Sequence, residues 1–146
     1  MTMYPKVLFF GSGPVAAASL QALYESFDVV QVVTKTRKGS HPAPVEDIAL
    51  AHQTDIIYAN NRLEAKSLVS SGKLIKTRVG IIVDYGVILD SEVINYFELG
   101  IINSHFSLLP KLRGADPITF SILEGLSKTG VTLMKIVEKL DEGDML

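Results

Sequence analysis

The stretch Val7-Leu8-Phe9-Phe10-Gly11-Ser12-Gly13-Pro14 decides the fold. Four apolar residues read as a strand and the glycines as a tight turn. Pro14 reads as the first residue of a helix, where its missing N–H would be unpaired anyway. That helix carries Val15, Leu20 and Leu23 and is expected to end near Ser26. Outward from it the same alternation continues. A strand from Val29 to Val33 leads through the basic, turn-rich residues 34–44 to a helix from about Val45 to His52. Asp55-Ile56-Ile57-Tyr58 reads as a third strand, Glu64 to Ser70 as a helix, Val79 to Val83 as a buried strand and Ser91 to Phe97 as a helix. A strand begins at Gly100-Ile101-Ile102-Asn103, a helix spans Ile118 to Glu124, and Gly130 to Val137 is the last strand. Apolar runs alternating with amphipathic stretches are the pattern of βαβ units. The expected fold is α/β, a Rossmann-like, mostly parallel sheet with helices on both faces, in one domain over 1–146.

Composition agrees. The 146 residues are 47% hydrophobic and 21% charged, as in an ordinary globular domain. Gly, Lys or Asp interrupts each apolar run before it reaches bilayer length. Met1 to Lys6 leads straight into the first strand, without the apolar segment and cleavage site of a signal peptide. The absence of cysteine excludes disulfides, thiolate metal sites and a cysteine nucleophile. It fits a reducing compartment, so a cytoplasmic location is expected, and no metal. A net charge of −2 gives no global footprint for nucleic acid, so any RNA contact must be local.

In open parallel sheets, ligands sit beyond the carboxyl ends of the strands. Four groups of residues are expected there: Gly11 to Gly13, Asp84-Tyr85-Gly86, Asn103 to His105, and Asp141. Gly11-x-Gly13-x-x-Ala16 matches the loose dinucleotide fingerprint. The second strand, however, runs out into Thr34, Lys35 and Thr36 without the acidic residue that would hold a ribose. A tight turn that needs small residues is the plainer reading, and a phosphate cradle the other. Asn103 and His105 share a face of their strand by its period of two. Asp141 follows His105 by 36 residues, on the segment that leaves the last strand, and can return to the same sheet end. Taken alone, a strand-end histidine is an ordinary hydrogen-bonded structural residue.

The longer pattern carries more. Asn103-Ser104-His105-Phe106-Ser107-Leu108-Leu109-Pro110, then Arg113-Gly114, and later Leu140-Asp141-Glu142-Gly143, resembles the signature of the formyltransferases that use 10-formyltetrahydrofolate. The resemblance covers nearly the whole chain. Within that family the methionyl-tRNA branch is most similar, through Arg113-Gly114-Ala115-x-Pro117-Ile118, Thr129-Gly130-Val131-Thr132, Leu140-Asp141-x-Gly143-Asp144 and Pro42-Ala43-Pro44-Val45. The resemblance implies Asn103, His105 and Asp141 as catalytic residues. It implies Ser107, Leu108, Leu109 and Pro110, with Tyr85 and Gly86, at the 10-formyltetrahydrofolate site, and methionyl-tRNA as acceptor.

The implied chemistry explains the residue types. An amine attacks the formyl carbon, and negative charge develops on the formyl oxygen. A protonated His105 and the Asn103 amide can donate hydrogen bonds to that oxygen, commonly the largest catalytic effect. An Asp141 carboxylate nearby favours a charged imidazole and can help move the amine's proton. Transfer is direct, so Ser107 belongs to the folate loop and is no nucleophile.

The chain also departs from that pattern. Its basic loop, Lys35-Thr36-Arg37-Lys38-Gly39-Ser40, is shorter than in the methionyl-tRNA branch, Asp84 stands where relatives usually have a small residue, and Val137 replaces a common aspartate. Members of that branch are about twice as long, with the rest of the catalytic domain and a C-terminal tRNA-binding barrel. The chain is therefore expected to be a catalytic domain incomplete at its C-terminal end, holding methionyl-tRNA only weakly by itself. Three other readings stay open. They are a related formyltransferase (glycinamide ribonucleotide, aminosugar) or formyltetrahydrofolate deformylase, a nucleotide-binding Rossmann module, and a catalytically inactive relative.

Overall fold

The computed structural model describes residues 4–36, 43–139 and 141–146. Most of the basic loop, and Leu140 of the Leu-Asp-x-Gly motif, lie outside the described residues.

The chain order is β1 (Lys6–Gly11), α1 (Pro14–Leu23), β2 (Asp28–Thr34), α2 (Pro44–Ala51), β3 (Asp55–Tyr58) and α3 (Arg62–Ser70). It continues with β4 (Val79–Val83), α4 (Ser91–Asn95), β5 (Ile101–His105), α5 (Pro117–Leu123) and β6 (Thr132–Lys135). Six strands form one sheet in the order β3-β2-β1-β4-β5-β6. The pairs β2–β3, β1–β2, β1–β4 and β4–β5 are parallel.

Central β1 shows why the sequence folds this way. Val7, Leu8, Phe9 and Phe10 are at most 1% exposed. By the strand period of two, Val7 and Phe9 pack on one face and Leu8 and Phe10 on the other. Ala16, Ala17 and Leu20 of α1 with Val45 and Ala49 of α2 cover the first face. Ala65 and Leu68 of α3 with Val93 of α4 cover the second. Each large apolar side chain so buried contributes about 1.5–3 kcal/mol relative to exposure. The helices begin where local chemistry allows. Pro14, Pro44 and Pro117 open α1, α2 and α5, while the Asn61, Asp90 and Asp116 side chains cap α3, α4 and α5.

The last strand differs from expectation. It is only Thr132–Lys135, and it runs antiparallel to β5, with Thr132 opposite His105 and Lys135 opposite Ile102. The strand thus starts beside His105 and runs away from it. The chain then doubles back: the Lys135 N–H donates to the Asp144 carbonyl (2.9 Å), and Met145 bridges Met134. This reversal, and no parallel crossover, carries Asp141 back. Helix α5 buries only Pro117 and Ser121, leaving Ile118, Phe120, Ile122 and Leu123 exposed.

Gly11 is fixed by space. A Cβ there would stand 2.6 Å from Phe9 Cε1, 2.7 Å from Ala16 Cβ and 2.8 Å from the Val83 carbonyl oxygen. Neither a strand carbonyl nor a buried helix can yield cheaply. Gly11→Ala should therefore cost roughly 1–3 kcal/mol, read as a lower denaturant midpoint with unchanged slope; an unshifted midpoint would show that the turn tolerates a side chain.

Candidate active site

Strand β5 delivers Asn103 and His105 to the carboxyl end of the sheet. Asn103 pairs with Ile82 on one side and Met134 on the other, so its backbone is fixed from both edges. Its side chain is half-buried, and its amide makes no hydrogen bond among the described residues. His105 is 5% exposed and differently placed. Its Nε2 lies 2.9 Å from the Leu112 carbonyl oxygen. A carbonyl only accepts, so Nε2 carries the hydrogen. Nδ1 then faces Asp141, with Oδ2 at 3.7 Å.

Asp141 is itself buried, 8% exposed, with a left-handed backbone at φ 51°. Its Oδ2 accepts the Gly114 N–H at 2.6 Å. One carboxylate oxygen thus joins the loop after β5 to the reversal after β6. Gly114 has φ 97°, a conformation that suits glycine, and Leu112 and Asp116 in the same loop have φ 54° and 59°. Such residues cost on the order of 1–3 kcal/mol each and cluster where function requires a fixed backbone. The Arg113-Gly114 pair therefore has a geometric reason, since its glycine turns an N–H toward Asp141. Leu112 and Gly114 act through main-chain atoms, which residue type alone does not reveal.

The expected donor loop is built as firmly. The Ser107 hydroxyl donates to the Lys111 carbonyl at 2.6 Å and is 1% exposed, which excludes it as a free nucleophile. Thr132 clamps the loop from β6: its hydroxyl donates to the Ser107 carbonyl (2.7 Å) and accepts the Leu109 N–H (3.2 Å). The motif around Thr132 was visible in sequence, but its clamp role was not. Leu108 is half-exposed and lies over Gly130, where a Cβ would come within 2.6 Å of Leu108 Cδ2. Past this loop, Leu112, Arg113, Ala115, Pro117 and Phe120 line a shallow hollow of about 160 Å³, to which Asn103, His105 and Asp141 do not contribute.

Tyr85 turns its ring inward. Expected among the donor contacts, it is 2% exposed, packs on Phe10 at 5.8 Å between ring centroids, and donates its hydroxyl to the Ala59 carbonyl at 2.7 Å. Burial, with Glu64 nearby, pushes its phenol far above the ordinary range. The ring holds the core, so any contact with a donor would be through the main chain.

The glycine loop is a turn whose opening is filled from within. The Asp84 carboxylate overlaps the space that a Cβ on Gly13 would take. Asp84 has φ 46°, and its carbonyl accepts from the Ser12 N–H (3.2 Å) and hydroxyl (3.1 Å). Though the residue is exposed overall, loss of solvent around the carboxyl raises its pKa, Lys35 opposes the rise and Asp116 adds to it. Among the described residues, no group of three or more His, Cys, Asp or Glu is placed to hold a metal ion, and no helix is long and apolar enough to cross a membrane.

Comparison with known proteins places the chain. The chain is 39% identical over 147 residues to a methionyl-tRNA formyltransferase of Sulfurihydrogenibium sp., covering 96% of this chain and 47% of that protein. It is 35% identical to the Bacillus subtilis methionyl-tRNA formyltransferase, covering 97% of this chain and 46% of the relative. The chain thus spans about half the length of these curated relatives. Among solved structures, glycinamide ribonucleotide transformylase 1 from Symbiobacterium toebii superposes with a TM-score of 0.82 at 18% identity, over 98% of this chain and 71% of that one. Phosphoribosylglycinamide formyltransferase from Bacillus halodurans gives 0.80 at 20% identity, over 96% of this chain and 76% of that one. At such identities the likeness concerns the fold, an α/β, mostly parallel sheet. Since the family match spans residues 5–146 and so includes the whole strand-end cluster, the chain belongs to the formyl transferase family.

Proposed function

We propose that this domain transfers a formyl group from 10-formyltetrahydrofolate to the amino group of methionyl-tRNA, with Asn103, His105 and Asp141 as its catalytic residues. The observation that carries the reading is the 3.7 Å approach of Asp141 to His105, two residues along β5 from Asn103. The names of the relatives at 33–40% identity favour methionyl-tRNA over other amines.

The residues divide the work. The Asn103 amide, free of other partners among the described residues, donates to the formyl oxygen as negative charge develops there. His105 cannot donate through Nε2 while the Leu112 carbonyl holds that hydrogen. A bare Nδ1 facing a carboxylate is repelled, whereas a protonated one is attracted. His105 therefore works as an imidazolium that stabilises the oxyanion by its charge, and Asp141 keeps it oriented and can accept a proton through water. Leu108, Leu109 and Pro110, held by Thr132 and by the buried Ser107 hydroxyl, with the main chain at Tyr85 and Gly86, form the donor site. With a net charge of −2 and only a short basic loop at Lys35, Arg37 and Lys38, this chain alone holds tRNA weakly and in a strongly salt-dependent way.

The direct test incubates the purified protein with 10-formyltetrahydrofolate and charged initiator tRNA and follows formyl-methionyl-tRNA; formation at the background rate, with other amines accepted instead, would move the reading to another acceptor. Asp141→Asn should lower the transfer rate at least ~100-fold with donor affinity changed far less, and near-normal turnover would remove Asp141 from the chemistry. A folate analogue should protect amides of residues 103–113 from hydrogen exchange more than those of 11–16. Protection confined to 11–16 would place the donor in the glycine loop instead.

A further inference from the structure

We infer that Asp84 is a specificity residue: its carboxylate fills the seat that a phosphate would take at the glycine loop, and so closes this crevice to phosphorylated small amines. In the order β3-β2-β1-β4-β5-β6, the direction of strand addition reverses between β1 and β4. That switch point is where open α/β sheets take ligands, and the helix following its first strand offers unpaired N–H groups and a positive dipole end to an anion. All those parts are here. Gly11 and Gly13 precede α1, a ten-residue helix whose N-cap, Gly13, has no capping side chain.

Yet the opening is occupied from within. The space above Gly13 is held by the Asp84 carboxylate, which receives no hydrogen bond from any described residue. The Ser12 N–H and hydroxyl both bind the Asp84 carbonyl, which fixes the backbone from which that carboxylate projects. Among the described residues, the cation that acts on this carboxylate is Lys35, whose Nζ stands 3.1 Å from where a Cβ on Gly86 would be. A second anion would meet like charge at contact distance, which costs several-fold to many-fold in affinity. A group that donates N–H bonds, or carries positive charge, would meet an unpartnered acceptor. The inference rests on the formyl-transfer reading only for what the crevice serves: an acceptor whose phosphate lies elsewhere.

The test uses inorganic phosphate as probe and needs no folate. Backbone amide shifts of residues 11–16 are followed on titration of the wild-type chain, Asp84→Gly and Asp84→Asn. Glycine suits the φ of 46° at this position, so Asp84→Gly should fold, and its spectrum away from the loop verifies this. Saturable binding by Asp84→Gly, at least ~10-fold tighter than by wild type, with Asp84→Asn shifted in the same direction, is expected. Equal affinity in wild type and Asp84→Gly, or no saturable binding by either variant, would overturn the inference. A failed formyl-transfer assay would leave this result standing, and a failed titration would leave formyl transfer standing.

Discussion

A strand buried on both faces must hand its backbone polar groups to neighbours on both edges, and β1 is that strand. Pairing β1 in parallel with β2 and β4, and β4 with β5, brings the carboxyl ends of four strands to one edge of the sheet. The candidate groups lie along that edge: the glycine loop after β1, Asp84 after β4, Asn103 and His105 at the end of β5, and Asp141 beside them. Side chains far apart in sequence become neighbours because the apolar runs leave the backbone no other economical pairing.

On that edge, Asp141 is the hinge of the site. A single carboxylate oxygen takes the Gly114 N–H at 2.6 Å and faces the imidazole at 3.7 Å. The loop after β5 needs left-handed residues at Leu112, Gly114 and Asp116 to present that N–H, while the reversal after β6 needs one at Asp141 itself. Backbone strain on both sides is thus spent on one alignment. The Leu112 carbonyl completes it by holding the imidazole from its other nitrogen. The Asn103 amide has no partner among the described residues, the condition for the proposed action on a substrate oxygen.

Much of this was legible in the sequence. Val7 to Phe10 and the Gly-Ser-Gly-Pro turn announce the first βα unit, and Pro14 marks the first residue of α1. The proposed catalytic residues Asn103, His105 and Asp141 were named from the resemblance, which lies in residue types, and the structure brings His105 and Asp141 to 3.7 Å. Three features were not legible. The antiparallel direction of β6 depends on where α5 leaves the chain, and a short apolar run carries no sign of its direction. Tyr85 sits beside a strand-end glycine, where a ligand contact was expected, but its ring turns inward to fill the space beside Phe10. The grips of Leu112, Gly114 and Ser12 include main-chain atoms, which residue type does not reveal. The glycine loop shows the same limit from the other side: Gly13 fits a dinucleotide fingerprint, while the space it leaves belongs to Asp84.

The central claim is that His105 and Asp141 act as one unit. A double-mutant cycle on the formyl-transfer rate, with His105→Ala, Asp141→Asn and both together, measures it. Residues acting as a unit give strongly non-additive losses, so the double variant should be hardly slower than His105→Ala alone. Losses that multiply would show two independent contributions and contradict the account.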